Sequence, residues 1–145
     1  MAGSLDLSKL GRLLDTLHKL GSVSSRISRR VSSEIGATMD QQFGNATDPY
    51  GRPWKEHVPA TVKRWGPHPI LQLTQAMRAS LDVRPLRPAG VGITIDHPAG
   101  PHQTGWSGKN GTGPARPILP SRGMPAKWAA IIRAAAADEI KKRAA

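Results

Sequence analysis

The chain has 145 residues, and its 21 lysines and arginines against 10 aspartates and glutamates give a formal net charge of +11. This length predicts a single domain spanning residues 1–145. The basic balance favours an anionic partner, first of all nucleic acid. No apolar run of about 18 residues is present, which excludes a membrane-spanning helix, and the first residues lack the features of a secretory signal. The absence of cysteine excludes disulfides, thiol catalysis and cysteine-ligated zinc.

The prolines divide the chain more sharply than the charge does. All 13 lie between Pro49 and Pro125, and proline disrupts the interior of a helix. We therefore expect an N-terminal helical region over residues 1–43, a turn-rich region over 44–125 and a C-terminal helix over 126–145. The positive charge is spread over all three regions and forms no basic arm of the kind that binds nucleic acid.

The N-terminal region predicts a long amphipathic helix. From Val23 to Phe43, an apolar residue recurs at every fourth position, and each step moves this stripe by about 40° around the helix. The drift predicts a helix that contacts more than one neighbour or that breaks near Gly21 or Gly36. Two interpretations stay open: a helix that covers a sheet, and one shared with adjacent subunits. An earlier stripe consists of Leu10, Leu13, Leu14, Leu17 and Leu20.

The middle region predicts short elements separated by turns. The repeat of Leu73, Met77 and Leu81 predicts a helix of about two turns. Alternating residues over 81–83 and 91–95 predict an antiparallel hairpin. The remaining expectations, in chain order, are a turn at 48–51, a helical turn at 61–65, a long mobile Gly/Pro-rich loop at 98–113 and an extended segment at 115–120.

The C-terminal region predicts a second helix, with Pro125 in its first turn and basic residues at its end that complement the helix dipole. Together these elements predict an α+β fold. A long N-terminal helix and a C-terminal helix pack on a small antiparallel sheet, and a long Gly/Pro-rich loop joins the elements. The apolar face of the second helix is predicted to consist of Trp128, Ile131, Ile132, Ala135 and Ile140.

The five histidines raise the question of a metal site. His97 and His102 are five residues apart, but the nearby sequence offers only one carboxylate, that of Asp96, and no cysteine. Tetrahedral zinc sites need more ligands than this. We therefore predict no metal or other cofactor, and we expect loop histidines that hydrogen bond to the backbone.

Catalytic motifs are equally incomplete. A phosphate-binding loop at Gly108-Lys109 is rejected, because Asn110 stands where serine or threonine is needed. The run 105–109 has part of the pattern of a nucleophile elbow, but its final glycine is missing and no strand-to-helix context surrounds it. A triad of Ser107, His102 and Asp96 stays open on spacing, because such residues can meet in any fold. The sequence therefore favours a protein that is not an enzyme.

The four tryptophans allow two interpretations. Trp54, Trp65 and Trp128 are predicted to anchor the core, whereas Trp106, in the glycine-rich stretch, is predicted to be exposed and interfacial. In the alternative interpretation, tryptophans interleaved with basic residues stack on nucleic-acid bases.

Recognisable short segments follow one another in a set order, at positions 43, 48–54, 59–61, 70–74, 77–81, 102–105 and 114–119. That order and spacing resemble the phage virion morphogenesis family of tail completion proteins. The resemblance covers about residues 40–140. It departs from the family pattern at Gln75, where glycine is usual, at Ile118, where phenylalanine is usual, and over 120–125. The residues that carry it are Phe43, Tyr50, Gly51, Trp54, Leu73, Thr74, Leu81, His102, Gln103, Gly105, Arg116 and Pro117.

This resemblance implies a structural, non-enzymatic component of the phage head–tail junction. It implies a virion protein of the tail or neck, assembled in the host cytoplasm, that forms a homo-oligomeric ring, six-fold by preference. Its implied partners are other copies of itself and neighbouring neck or tail proteins. The spread positive charge adds DNA as a partner, attracted non-specifically in the channel. The alternative from another class is a basic, non-specific nucleic-acid-binding module.

Physical chemistry suggests roles for the matching residues. Gly51 would allow the turn that presents Trp54 to the core, and Leu73, Met77 and Leu81 would pack the short helix on the hairpin. His102 and Gln103 would hold the start of the glycine-rich loop, and Gly105 would let it turn. Arg116 would be free for a carboxylate on a neighbour, and Pro117 would keep its segment extended and unable to donate to a strand.

Overall fold

A computed structural model describes residues 7–96, 98–109 and 111–144. It confirms the α+β class, with a long N-terminal helix and a C-terminal helix beside small antiparallel sheets. The elements in chain order are α1 (Leu7–Asn45), α2 (Pro59–Trp65), α3 (Ala76–Ala79), β1 (Asp82–Pro85), β2 (Val91–Thr94), α4 (Ala99–Thr104), β3 (Trp106–Gly108), β4 (Gly111–Gly113) and α5 (Ala126–Ala144).

The long helix α1 passes through Gly21 and Gly36 without a break. It packs against α5 and against both strands of the β1–β2 hairpin. At Gly36 the helix comes so close to the hairpin that an added Cβ would touch the Val83 side chain at 3.6 Å. The drifting stripe is thus explained by several neighbours within the protomer. Its buried members are Val31, Ile35, Met39 and Phe43.

Helix α5 runs antiparallel to α1, and ion pairs fix its register. Arg26 Nε lies 3.0 Å from Glu139 Oε2, and Arg30 Nη1 lies 2.6 Å from Asp138 Oδ2. The hydrogen bonds to Arg26 and Arg30 hold the pKa values of both carboxyls below their ordinary range. At the end of α5, Arg143 Nη2 donates to the carbonyl of Lys19 at 2.7 Å. Twelve residues of α1, from Leu7 to His18, therefore continue beyond the point where α5 ends.

The predicted hairpin is confirmed as the antiparallel pair β1–β2, in which Asp82 pairs with Thr94 and Pro85 with Val91. The Gly90 amide donates to Ser28 Oγ on α1 at 3.0 Å. This bond fixes the turn of the hairpin against the middle of the long helix.

One apolar core receives residues from every region of the chain. Trp54, Met77 and Ile118 from the turn-rich region are buried with the stripe of α1 and with Trp128 and Ala135 of α5. The predicted burial of Trp54 and Trp128 is confirmed. Pro125 is also fully buried, and its carbonyl accepts the Ala129 amide at 3.0 Å, so the proline lies immediately before α5.

Three predicted details of the helices are wrong. Helix α3 is a single turn, because Gln75 at its start takes a left-handed backbone with φ of 61°, and Leu73 lies outside it and is exposed. Trp65 is 53% exposed, since α2 buries none of its residues. Ile140 is 66% exposed, near the end of α5.

The prediction of a loop over 98–113 is also wrong. The stretch contains the short helix α4 and the β3–β4 pair, in which Trp106 lies opposite Gly113 and Gly108 opposite Gly111. Helix α4 tolerates Pro101 because the first turn of a helix leaves its amides without partners in any case. Two of the glycines that suggested a loop, Gly108 and Gly111, form the last pair of the β3–β4 ladder.

Candidate functional site

Five of the twelve residues that carry the family resemblance lie in one framework, centred on Trp54. Its ring meets that of Phe43 edge to face, with the centroids 5.5 Å apart. Its Nε1 donates to the Pro117 carbonyl at 2.8 Å. The Phe43 carbonyl in turn accepts a hydrogen bond from Gln72 Nε2 at 2.9 Å. This cluster ties the end of α1 to two segments that are distant in the sequence.

Gln103, on α4, holds the segment before α5 with three hydrogen bonds. Its Oε1 accepts the Ile118 amide at 2.8 Å and the Leu119 amide at 2.9 Å. Its Nε2 donates to the Leu119 carbonyl at 2.7 Å. The Gln103 side chain thus makes the hydrogen bonds that a neighbouring strand would otherwise make to segment 118–119, and it holds this segment in place.

Arg116 is buried, and its guanidinium is directed at the main chain. Nε donates to the Lys55 carbonyl at 2.7 Å and Nη2 to the Glu56 carbonyl at 2.9 Å. Burial lowers the pKa of Arg116 from its ordinary value. The expectation that Arg116 is free for a carboxylate on a neighbour is therefore wrong, because carbonyls of its own chain occupy two of its donors.

The predicted turn at 48–51 is organised by a buried aspartate. Asp48 Oδ1 accepts the amides of Tyr50 and Arg52, each at 2.9 Å. Gly51 takes a φ of 82° within this turn. Tyr50 then reaches the segment before α5, where its hydroxyl accepts the Arg122 amide and donates to the Gly123 carbonyl.

Beside this framework lies a cleft of about 460 Å³. We call it the histidine cleft, because His57, His68 and His102 all line it, together with Arg116. No aspartate or glutamate is among the described residues of its lining. The described side chains of the lining are therefore positive or neutral, which suits an anionic group.

Two of these histidines are in direct contact. The rings of His57 and His68 lie 4.3 Å apart, and His68 Nδ1 is 2.9 Å from the Gly66 carbonyl. Burial is the main cause that lowers the pKa of His57, and the charges of His68 and Arg116 lower it further. Hydrogen bonding with the backbone of His68 and Pro69 opposes this shift. Among the described residues, the buried Nε2 of His57 has no hydrogen-bond partner.

The cleft exposes several large apolar side chains at its mouth. Four of its residues are among the large hydrophobic side chains that the described structure exposes, namely Val58, Trp65, Leu73 and Trp106. The Trp106 ring covers Gly113 so closely that a Cβ at that position would overlap it. The lining also includes Leu71 and Gln75, whose backbones both have φ of 61°. Such backbone strain is concentrated at functional sites in proteins.

The twelve residues predicted from the sequence thus fall into separate groups. Phe43, Trp54, Gln103 and Pro117 lie in the framework, whereas Leu73, Thr74 and His102 line the cleft, and Arg116 belongs to both. Leu81 packs against the core from the start of the hairpin. The remaining three are Tyr50 and Gly51 in the first turn and Gly105 between α4 and β3.

Sequence reasoning missed the pairing of His57 and His68. They flank α2, and the prolines next to this short helix were the only signal that the two histidines turn back toward each other. The prediction that Trp106 is exposed is confirmed at 44%.

Comparison with known proteins yields no relative. No protein-family model, no curated protein and no solved structure matches the chain. Within residues 7–96, 98–109 and 111–144, no group of three or more histidine or acidic side chains is arranged to hold a metal ion. None of the helices in the same ranges has the length and apolar character to cross a membrane.

Replacing Gly105 with alanine should lower the free energy of unfolding by about 2–3 kcal/mol. Gly105 has φ of 80° and ψ of 168°, a conformation that is strained for any other residue, and an added Cβ would lie 3.0 Å from the Gly113 carbonyl oxygen. Urea unfolding measures the change. Gly66→Ala is the matched control, because Gly66 has φ of 73° and ψ of 171° but open space around it. An equal loss in both variants would contradict the close contact at Gly105.

The stability of the protein should decrease as the pH falls below about 6.5, and His57 should contribute to that decrease. Because the pKa of His57 is lowered in the fold, the unfolded chain takes up a proton first, so acid favours unfolding until the folded form is protonated too. Urea unfolding at about pH 7.5 and about pH 5.5 should show a smaller decrease for His57→Gln than for the parent. His18→Gln, on the exposed surface of α1, is the control, and an unchanged decrease in His57→Gln would refute the assignment.

Proposed function

We propose that this protein is a structural, non-enzymatic component of the phage head–tail junction, a tail completion or neck protein that assembles as a ring. One observation carries the proposal. The sequence segments that resemble the tail completion family, although far apart in the chain, meet in the framework around Trp54, Gln103 and Arg116. These residues therefore form one structural unit, as expected if the resemblance reflects a common fold.

The chemistry of the framework supports a structural role. The polar side chains of Gln103 and Arg116 and the indole of Trp54 donate to backbone carbonyls. A catalytic group needs instead to reach a substrate atom directly. The matching residues are therefore suited to fixing the shape of a building block.

The charge distribution supports a place beside DNA. A net charge of +11, spread over the chain, supplies non-specific attraction to phosphates without a motif that reads sequence. In the proposed assembly the protein forms a ring, six-fold by preference, at the end of the tail. It contacts other neck or tail proteins and surrounds the DNA channel of the virion.

Deletion of the gene from the phage or prophage that encodes it tests the function. We expect DNA-filled heads and complete tails that do not join, and restored joining when the gene is supplied in trans. Purified particles should contain the protein at the junction. Its absence from assembled particles would falsify the structural role, whatever its oligomeric state in solution.

A second candidate, the basic nucleic-acid-binding module, is favoured by the net charge and by the exposed pair in which the Arg64 guanidinium lies 4.9 Å from the centre of the Trp65 ring. This function predicts tight binding to DNA in solution, with an affinity that falls steeply as salt rises. Fluorescence anisotropy with a labelled duplex over a salt series measures it. Absence of binding at physiological salt would remove this candidate and leave the structural proposal intact.

A further inference from the structure

A second cavity, of about 440 Å³, lies where residues of β2, α1 and α5 come together. Its volume falls in the range of ligand-binding pockets, roughly 300–1,000 Å³. We call this cavity the β2 groove. Its lining includes Ile27 and Val31 of α1, Val91 and Ile93 of β2 and Ile132 of α5, and no charged residue is among its described members. An occupant must therefore bring apolar groups into it.

The edge of β2 beside this groove is open. In the described part of the chain the sheet has two strands, so β2 pairs with β1 alone. The Leu86 amide donates to the Gly90 carbonyl at 2.9 Å, and in an antiparallel pair such bonded positions alternate with positions whose main-chain groups point outward. The amides and carbonyls of Val91 and Ile93 are therefore directed at the open edge. The side chains of the same two residues line the groove.

The sequence of β2 carries none of the features that protect an edge strand, such as proline or charged side chains. Its partner β1 has both, since it contains Pro85, Asp82 and Arg84, whereas β2 reads Val-Gly-Ile-Thr. An open edge of this kind accepts an extended peptide as a further strand. Main-chain hydrogen bonds then give affinity, and a groove that receives alternate side chains gives specificity.

The groove also offers a hydrogen-bond donor. Trp128 lines it and is 5% exposed, and its Nε1 has no hydrogen-bond partner among the described residues. Buried indole N–H groups usually have an acceptor. A peptide brings a carbonyl acceptor with every residue, whereas a hydrocarbon tail brings none. This donor favours a peptide as the occupant.

The residues around the groove are basic. Three exposed arginines stand close in the chain to residues that line it, namely Arg87, Arg122 and Arg133. Among the described residues, none of these three forms an ion pair. Opposite charges at the rim of an interface speed encounter and select the partner. The fitting segment therefore carries acidic residues on either side of its apolar stretch.

We propose that β2 is a docking strand. An extended acidic segment of another protein, with aliphatic residues at alternate positions, adds to the open edge of β2 and inserts those side chains into the β2 groove. The inference rests on the proposed function only in that the partner would then be a neighbouring neck or tail protein. The docking strand itself follows from the open edge, the groove and the Trp128 donor.

Fluorescence anisotropy with the full-length protein tests the docking. The probe is fluorescein-Glu-Asp-Val-Thr-Val-Thr-Val-Glu-amide. We expect saturable binding below about 100 μM, weakened about tenfold when lysines replace the acidic residues of the probe. Binding that is equal for the acidic and basic probes, or no binding of the acidic probe, overturns the proposal.

Two methylated probes test whether the peptide binds as a strand. One carries N-methyl groups on its valine amides and the other on its threonine amides. Because the amides of alternate residues point to opposite edges of a strand, one of these probes should lose binding and the other should keep it. Equal binding of the two methylated probes contradicts strand addition.

Substitutions in the protein test where the peptide binds. Ile132→Ser should weaken binding about tenfold, and Trp128→Phe, which keeps a ring but removes the N–H donor, about threefold to tenfold. Val91→Pro removes an outward amide of β2 and should abolish binding, with circular dichroism as the check on folding. Leu73→Ser, an exposed position in the histidine cleft, is the matched control and should bind like the parent. Unchanged binding in Ile132→Ser and Trp128→Phe overturns the assignment.

Further arms separate other occupants. If the protein self-associates in sedimentation velocity and the probe dissolves that association, the groove binds a second copy and the proposal is overturned. If laurate displaces the probe, the groove is a lipid site and the proposal is likewise overturned. If the probe binds as expected but phage without the gene still join heads to tails, the proposed function fails and the docking strand stands.

Discussion

Replacing Phe43 with alanine should lower the free energy of unfolding by about 3–5 kcal/mol, the largest effect we expect from a single substitution. Phe43 is 1% exposed and lies at the centre of the framework. The centre of its ring lies 5.5 Å from the centre of the Trp54 ring and 5.9 Å from the guanidinium carbon of Arg78. Truncation to alanine removes these contacts and leaves a cavity in the core beside Trp54. A domain with a total stability of about 5–15 kcal/mol would lose a large part of it.

Urea unfolding followed by circular dichroism measures this loss. Phe43→Leu keeps most of the volume and should cost clearly less than Phe43→Ala. Val62→Ala, on the exposed surface of α2, should change the stability by no more than about 0.5 kcal/mol. A loss below about 1 kcal/mol in Phe43→Ala would contradict the central position of this side chain.

Replacing Gln103 with alanine should lower the free energy of unfolding by about 2–4 kcal/mol. The substitution removes three hydrogen bonds and leaves the amides of Ile118 and Leu119 and the Leu119 carbonyl without a partner. The cost comes chiefly from leaving backbone groups unsatisfied beside the core, since Ile118 is itself buried. Segment 118–119 should also exchange its amide hydrogens faster than in the parent.

Gln103→Glu is the matched control for this effect. A carboxylate keeps an oxygen that can accept the Ile118 and Leu119 amides but has no donor for the Leu119 carbonyl. The free energy of unfolding should therefore fall less in Gln103→Glu than in Gln103→Ala. The protection of the two amides, followed by hydrogen exchange, should remain close to the parent. Equal losses in the two variants would show that the amide acceptors contribute little.

The long helices could be predicted from the sequence because their signals are local. The stripe from Val23 to Phe43 reflects the 3.6-residue period of a helix. The confinement of prolines to the middle region reflects the disruption that proline causes inside a helix. The β1–β2 hairpin was predictable for a similar reason, since its alternation of side chains is set by the pleat of each strand. These elements needed no knowledge of their neighbours.

The local signals failed where backbone conformation depends on distant groups. The stretch 98–113 was expected to be a loop, because its glycines and prolines suggest turns. Yet α4 and the β3–β4 pair form there, and Gln103 anchors α4 to a segment fifteen residues away. Likewise, Leu73 at helical spacing lies outside α3, since the left-handed backbone of Gln75 ends the pattern. Neither conformation is a property of the local sequence alone.

The candidate site shows the same division. The sequence by itself determined which residues could matter: the aromatic and polar positions of the family resemblance, and the exposure of Trp106. Only the tertiary structure decided their roles. It directed Arg116 at backbone carbonyls, brought His57 and His68 to 4.3 Å and left Trp65 at the mouth of the cleft. The physical reason is that side-chain type follows from the sequence, whereas burial and hydrogen-bond partners depend on which distant segments pack together.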